Sequence, residues 1–355
     1  MIKLPDYKIV FETQQFSGLR SLLSEKNYAA IVLLVDENTA SFCLPLIQDA
    51  LKEYEYLVVR IQSGESYKTL DTCQYIWKRL MHNKLTRKSV LINLGGGVIG
   101  DMGGFCAATF KRGIDFVQVP TTLLAQVDAS VGGKLGVDFN QLKNGVGLFA
   151  NPQLVCLYPL FFQTLPFEQL RSGFAEVIKH ALISDLSYWQ QIVTVHLNTA
   201  DWLPIVRQSV MIKQSIVEKD PTEKGCRKIL NFGHTIGHAI ESLSWDTSKP
   251  LLHGEAVALG MIAEAYISNR LLGLSEVELN ELTAFIKSIY PFYSLSAIAE
   301  DQILELIKQD KKKERKSNAF SLITAIGKAS YNHHVEDALI LESLLYYQRV
   351  YQSTI

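Results

Sequence analysis

SVLINLGGGVIGDMGG, residues 89–104, reads as a buried strand that runs into a glycine turn and then into a helix. Gly95, Gly97 and Gly100 satisfy G-x-G-x-x-G where the strand meets the helix, and backbone amides in such a turn can hold a pyrophosphate. The stretch belongs to a series. KIVFET (8–13), AAIVLLVD (29–36), YEYLVVRI (54–61) and IDFVQVP (114–120) have the Val, Ile and aromatic content of strands, with helix-like segments such as TLDTCQYIWKRLMHNKL (69–85) between them. That alternation predicts βαβ crossovers and a mainly parallel sheet. The glycines come later than in an ordinary dinucleotide fold, where they follow the first strand and an acid comes about 20 residues on. The candidate ribose-binding acid here, Asp36, precedes them, with Glu65 and Lys68 of SGESYK as companions. The pattern implies a nucleotide site made from the same physical parts on a different α/β topology. Asp36 fits equally well as a helix N-cap beside Asn38 and Thr39.

After Pro166 the pattern changes, and apolar residues recur at helical spacing almost to the end, with SLITAIG (321–327) the main strand-like exception. Two domains are expected, an α/β one over 1–165 and a helical one over 166–355, since 355 residues exceed the ~250–300 that one core supports. With 35 basic and 36 acidic residues the formal net charge is −1, so nothing global points to nucleic acid or a membrane surface. Five scattered cysteines without a CxxC pair argue for a reducing compartment and against a sulfur-ligated metal. The first residues turn charged before any apolar run, and no run of ~18 apolar residues follows, which reads as a cytoplasmic chain.

The densest chemistry lies in RKILNFGHTIGHAIE, residues 227–241. His234 and His238 are four apart and share a helical face, and a third histidine follows in LLHGEAVALG as His253. Upstream, RSGFAEVIKHAL sets Glu176 and Lys179 on one face. One histidine pair alone is as readily an amphipathic helix with satisfied imidazoles, but two imidazoles and a carboxylate make a catalytic zinc set. In 111–149, Thr121, Thr122, Asp128, Lys134, Lys143 and Asn144 are interleaved with glycines, poor material for a plain connecting loop. With Lys179, Lys213, Arg112 and Arg227, the lysines could meet a small phosphorylated and carboxylated substrate.

Taken together, these stretches resemble the 3-dehydroquinate synthase family of sugar phosphate cyclases. The resemblance rests on GExxK (64–68), GGGVIGDMGG, RGIDFVQVPTTLLAQVDASVGGK, TLP (164–166), SGFAEVIKH, NFGHTIGHAIE, HGEAVALGM and the late DKK, in order over most of the chain. It implies an N-terminal Rossmann-like NAD-binding domain, an all-α C-terminal domain holding metal and substrate, a site in the cleft between them, and a homodimer. It implies zinc or cobalt on Glu176, His234 and His253, leaving His238 for proton transfer, although spacing alone would pair His234 with His238. Substrate or catalytic roles are implied for Asp128, Lys134, Asn144, Lys179, Lys213, Glu223, Arg227, Asn231 and Lys312, with Arg112 reaching the neighbouring subunit's site. Nucleotide contacts are implied for Asp36, Glu65, Lys68, Gly96, Gly97, Asp101, Thr121, Thr122, Lys143 and Thr164. GLFANPQLVCLYP (147–159) departs from the family's GAFxQP, which leaves the wall near 149–158 open.

The implied activity is that of a phosphate-eliminating carbon–oxygen lyase of the shikimate pathway, a route to aromatic amino acids through chorismate. It converts 3-deoxy-D-arabino-heptulosonate 7-phosphate to 3-dehydroquinate by transient oxidation with NAD, elimination, re-reduction and aldol closure. A metal-dependent polyol or glycerol dehydrogenase would not need so many cations. A cyclase making a valiolone or an inosose would not need Arg227 and Asn231 on the carboxylate side. A nucleotide-binding regulatory protein would not need the metal and proton-transfer residues.

Overall fold

The computed structural model describes residues 1–3, 7–13, 15–140, 142–296, 298–312 and 319–352, the side chains of residues 3 and 309–312 excepted. The chain divides into two compact units, Met1–Pro166 with Trp202–Val210, and Phe167–Asp201 with Met211–Ile355.

The strands of the first unit are β1 (Ile2–Lys3), β2 (Lys8–Phe11), β3 (Ala30–Asp36), β4 (Tyr56–Ile61), β5 (Ser89–Gly95), β6 (Asp115–Pro120), β7 (Lys134–Phe139), β8 (Leu142–Phe149) and β9 (Leu154–Leu157). Seven of them form one sheet in the order β1-β2-β9-β6-β5-β3-β4, parallel throughout except for the β1–β2 pair. β7 and β8 form a separate antiparallel hairpin. The helices are α1 (Ser17–Lys26), α2 (Glu37–Phe42), α3 (Leu44–Leu51), α4 (Leu70–His82) and α5 (Gly97–Thr109). Alternation along β3 shows how the layers form. Ile31, Leu33 and Val35 join the core under α1 and α3, while Val32 and Leu34 point the other way and join the core under α4 and α5.

Each of the five strand-like runs contains a strand. Two further features are the hairpin and β9, whose four residues follow Pro152 and insert between β2 and β6. α5 lies close on the sheet because it has no side chain at the contact. A Cβ on Gly103 would stand 2.1 Å from Asn93 Oδ1 and 2.8 Å from Leu34 Cδ2.

The second unit contains α6 (Phe167–Ser184), α7 (Leu186–Ile192), α9 (His234–Ser244), α10 (His253–Leu272), α11 (Glu276–Ile289), α12 (Glu300–Lys312), α13 (Asp337–Gln352) and a hairpin of β10 (Ala319–Ala325) and β11 (Lys328–His334). α8 (Trp202–Lys219) starts in the first unit and ends in the second. The strand-like SLITAIG supplies most of β10, its last two residues forming the turn, and β11 is its partner. α10 is buried from Ala256 to Ser268 and packs against α6, α9, α11, α13 and β10. That burial explains its sequence: a helix apolar on every side belongs in the middle of a bundle. Among the described residues no helix is long and apolar enough to cross a membrane.

Gly103→Ala should destabilise the protein by about 1–3 kcal/mol through overpacking, despite alanine's better helix propensity. Urea unfolding measures it. A midpoint equal to or above the parent's would contradict the close approach of α5 to β5.

Candidate active site

In the first unit the nucleotide candidates gather at the carboxyl ends of β3 and β5. These are parallel neighbours, with Leu34 opposite Asn93, and β4 lies on one side of the pair while β6 lies on the other. Chain order therefore reverses at this point, and the crevice outside a reversal is where open α/β sheets take ligands. Asp36 ends β3 and Gly95 ends β5. The N-cap of α5 is Gly96, which has no side chain to bond the first amides, so an anion can take them. Thr121 N–H donates to the Gly95 carbonyl (3.0 Å), and a Cβ on Gly96 would meet Thr122 Cγ2 at 3.1 Å, so the threonines and glycines form one surface.

Asp36 realises the N-cap alternative. Its Oδ1 accepts from Thr39 N–H at 2.7 Å, and Thr39 Oγ1 accepts from Asp36 N–H at 3.0 Å. The cap fixes the carboxylate at the strand end. The Cys43 thiol lies beside it, its pKa pushed up to about 12 by burial with the Asp36 charge adding.

Lys68 is a hub. Its side chain is 4% exposed, and Nζ donates to Asp101 Oδ2 and Asn144 Oδ1, both at 2.7 Å, with Glu65 Oε1 4.0 Å away. Burial opposes the ammonium, but Asp101 and Glu65 outweigh it and its pKa stands above the ordinary value. The lysine, itself a nucleotide candidate, thus joins two others, Asp101 and Glu65, to a substrate candidate on the hairpin. Asp138, absent from the sequence reading, completes the join: its N–H donates to the Lys68 carbonyl and its Oδ1 accepts from Asn144 N–H at 2.7 Å.

Asp128 sits on a single π-helical turn (Ala125–Ala129) held by Gln126, whose amide donates to the Pro120 and Tyr158 carbonyls. Such turns recur at functional sites. Lys134 and Lys143 are exposed on the hairpin, and Thr164 is exposed at the end of a short 3₁₀ turn. The wall left open in the sequence is the end of the hairpin, where Ala150 N–H donates to Gly133, followed by β9. Arg112 does not join the cluster. It lies past the far end of α5, about 20 Å along the helix from the glycine turn at 1.5 Å per residue, with a left-handed φ of 68°.

The second unit brings Glu176 of α6, His234 of α9 and His253 of α10 to one point. Nε2 of His234 is 3.4 Å and Nε2 of His253 is 3.6 Å from Glu176 Oε1. Both Glu176 oxygens are buried without a hydrogen-bonding partner among the described residues, and Lys179 forms an ion pair with Oε2. Donors bound to a tetrahedral metal at about 2.0–2.2 Å stand roughly 3.3–3.5 Å apart, so these atoms fit a metal better than each other. The outer nitrogens agree. His234 Nδ1 lies 3.1 Å from the Phe232 carbonyl and His253 Nδ1 lies 3.1 Å from Glu241 Oε2, an arrangement that leaves both Nε2 lone pairs facing the carboxylate. His238 is exposed, with its ring 5.0 Å from that of His234 and 5.6 Å from that of His253. The three imidazoles are close enough to hold a metal between them.

Close backbone contact makes this convergence possible. A Cβ on Gly254 would stand 1.8 Å from the Ser172 carbonyl of α6, and one on Gly260 would stand 2.0 Å from the Gly233 carbonyl. Gly233 itself turns at φ 79° to start α9. Glu264, fully buried on α10, accepts from Gly233 N–H (2.6 Å) and Ile236 N–H (3.1 Å) and so anchors the first turn of α9. The sequence carries a signal for it, an isolated acid inside the apolar run AVALGMIAEAYIS.

Nearby, Arg227 is buried, its Nη1 donates to the Pro221 carbonyl, and Glu223 Oε1 accepts from Asn231 Nδ2 at 2.9 Å. Asp220, also unread in the sequence, shapes this loop by accepting from the amides of Lys224, Gly225 and Arg227, which hold its pKa low. Lys213 is buried on α8. Lys312 closes α12, and its side chain lies outside the described residues.

The N-terminal model of 3-dehydroquinate synthase matches residues 58–172 and the C-terminal model matches residues 173–313. A curated 3-dehydroquinate synthase of Parabacteroides distasonis is 41% identical over 348 residues, which is 97% of this chain and 99% of the relative. The chain belongs to the 3-dehydroquinate synthase family. The synthase of Rippkaea orientalis is 38% identical and covers 97% of each chain. Among solved structures, a 2-deoxy-scyllo-inosose synthase complexed with carbaglucose-6-phosphate, NAD+ and Co2+ superposes with a TM-score of 0.77 at 25% identity, covering 95% of this chain and 96% of that one. A 2-epi-5-epi-valiolone synthase of Streptomyces hygroscopicus with NAD+ and Zn2+ bound shares the fold, with a TM-score of 0.82 at 23% identity over 99% of each chain.

The charge state of the cluster gives a pH test. Burial alone would lower the His253 pKa, but Glu176 and Glu241 raise it from 6.5 to about 9, whereas burial and Lys179 hold His234 below its ordinary value. Lys179 and His234 hold Glu176 well below the carboxylate range despite its burial. At pH 7 the metal-free cluster therefore carries one displaceable proton, on His253. Apparent zinc affinity should rise about tenfold per pH unit from pH 7 toward 9 and then level off. Competition titration with a chelator measures this, and an affinity flat over that range would contradict it.

Proposed function

We propose that the chain converts 3-deoxy-D-arabino-heptulosonate 7-phosphate to 3-dehydroquinate and phosphate, with NAD as a recycled cofactor and zinc or cobalt as the metal. The observation that carries this reading is the meeting of Glu176, His234 and His253, with their outer nitrogens already bonded, in a chain similar to curated synthases along nearly its whole length. The α/β unit holds the dinucleotide at the β3–β5 reversal, with Asp36, Gly96, Gly97, Thr121 and Thr122 against it. The Lys68 hub keeps Asp101 and Glu65 in place there. The helical unit holds the metal.

When bound, the two groups supply reversible hydride transfer and Lewis-acid polarisation of a hydroxyl. The protein's part is to bind, orient and move protons. His238, exposed beside the two inner histidines, carries protons because an imidazole titrates near neutrality. The buried Arg227 guanidinium, steered by the Asp220 loop, meets the substrate carboxylate together with Asn231, while Glu223 orients both. The helical unit offers Lys179, Lys213 and Lys312, and the α/β unit by itself offers Lys134, Asp128 and Asn144, as polar groups for phosphate and hydroxyls. Much of the catalysis is then positioning and electrostatics. The enzyme works in the cytoplasm as a homodimer. Arg112, at the opposite end of α5 from its own glycine turn, suits a second copy's site.

The test separates this reading from a dehydrogenase. With NAD far below substrate, one phosphate should be released per substrate over many turnovers with no lasting NADH absorbance, because the hydride taken up is returned. NADH rising mole for mole with product, or phosphate release ending after one turnover of NAD, would overturn the reading.

A further inference from the structure

Glu241 comes seven residues after His234 on α9, two helical turns on, and its side chain is 5% exposed. A carboxylate this far from water needs a hydrogen-bonding or cationic partner. Its Oε2 lies 3.1 Å from His253 Nδ1, while the other nitrogen of that ring is 3.6 Å from Glu176 Oε1. The imidazole of His253 is therefore held between two carboxylates, with Glu176 on the inner side where the candidate metal donors meet and Glu241 on the outer side. His234 is held in the same way by a neutral group, the Phe232 carbonyl. The two inner histidines thus differ in their outer partner.

We propose that Glu241 is a positioning residue for the metal site: its carboxylate accepts the Nδ1 proton of His253, fixes the tautomer, and turns Nε2 toward Glu176. The proposal rests on the metal-binding reading above. A charged acceptor on the outer nitrogen makes an imidazole a stronger ligand than a carbonyl does, and loss of such a partner lowers metal affinity by about 10–100-fold. Because His253 begins α10, its ring is held by the partner helix as well as by its own backbone.

The test uses the full-length protein stripped of metal. Zinc is titrated against a chelating competitor into the parent, Glu241→Gln and Glu241→Ala, and thermal melts of the metal-free forms monitor folding. The expected result is tight binding of one zinc by the parent, about 10-fold weaker binding in Glu241→Gln, which keeps an acceptor but no charge, and weaker binding still, toward 100-fold, in Glu241→Ala. Equal zinc affinity in all three overturns the proposal and leaves the metal reading intact, whereas a parent that binds no zinc overturns both. Should the variants fail to fold, ¹⁵N NMR of the zinc-loaded parent decides. A His253 signal protonated at Nδ1 and metal-bound at Nε2 supports the proposal, and metal on Nδ1 overturns it.

Discussion

α10 touches α6 and α9 backbone to backbone, and the metal cluster depends on that contact. Gly254 lets α10 reach the Ser172 carbonyl, and Gly260 lets it reach the carbonyl of Gly233, at separations no side chain could share. The Ser172 hydroxyl accepts from Gly254 N–H at 3.0 Å, and Arg171 pairs with Glu255 at 2.6 Å, so α6 also grips the first turn of α10, which carries His253. From the middle of α10, Glu264 anchors the first turn of α9, which carries His234. A buried carboxylate is costly unless its oxygens are bonded, and amides at a helix start are unpaired unless something meets them. Each need answers the other. The result is three helices, locked at their ends, that each deliver one polar group to a common point.

The α/β unit solves a related problem with a cation. Lys68 is as deeply buried as a core leucine, yet it holds a carboxylate and an amide oxygen at hydrogen-bond distance and has a second carboxylate nearby. Removing Asp101 would leave charge uncompensated in a poorly solvated place and removing Asn144 would leave a buried N–H without its acceptor, so α5 and the hairpin are held together through the lysine. The glycine turn and the hairpin that lies against α5 therefore behave as one support rather than two loops.

Local pattern made much of this legible. Continuous Val- and Ile-rich runs gave away β2 to β6, and the G-x-G-x-x-G marked the end of β5. What lay beyond reach was pairing at a distance. β9 is four residues close after a proline and takes its place between β2 and β6 from tertiary packing. The β7–β8 hairpin is glycine-rich and exposed on one side, so alternation is weak there. At Asp36 the residue type fitted two roles, and local hydrogen bonding resolved the cap without excluding a ligand on the same carboxylate. In the helical unit, spacing put His234 and His238 on one face, but only the fold brings His253 and Glu176 to the same place, since they come from other helices. Glu264 stands out as a lone acid in an apolar run, but Glu241 reads as an ordinary helix acid until its burial shows that it must have a partner. Asp220 and Asp138 act on backbone amides, which leave no mark in a sequence.

Three helices bring a Glu176 oxygen and the Nε2 atoms of His234 and His253 to one point, where the proposed metal would bind. Diffraction from zinc-soaked crystals, recorded on both sides of the zinc absorption edge, tests it most directly. The expected result is one anomalous peak at about 2.0–2.2 Å from a Glu176 oxygen and from Nε2 of both His234 and His253, with His238 outside the coordination sphere. A peak held by His238 together with His234 and His253, with Glu176 uninvolved, would contradict it.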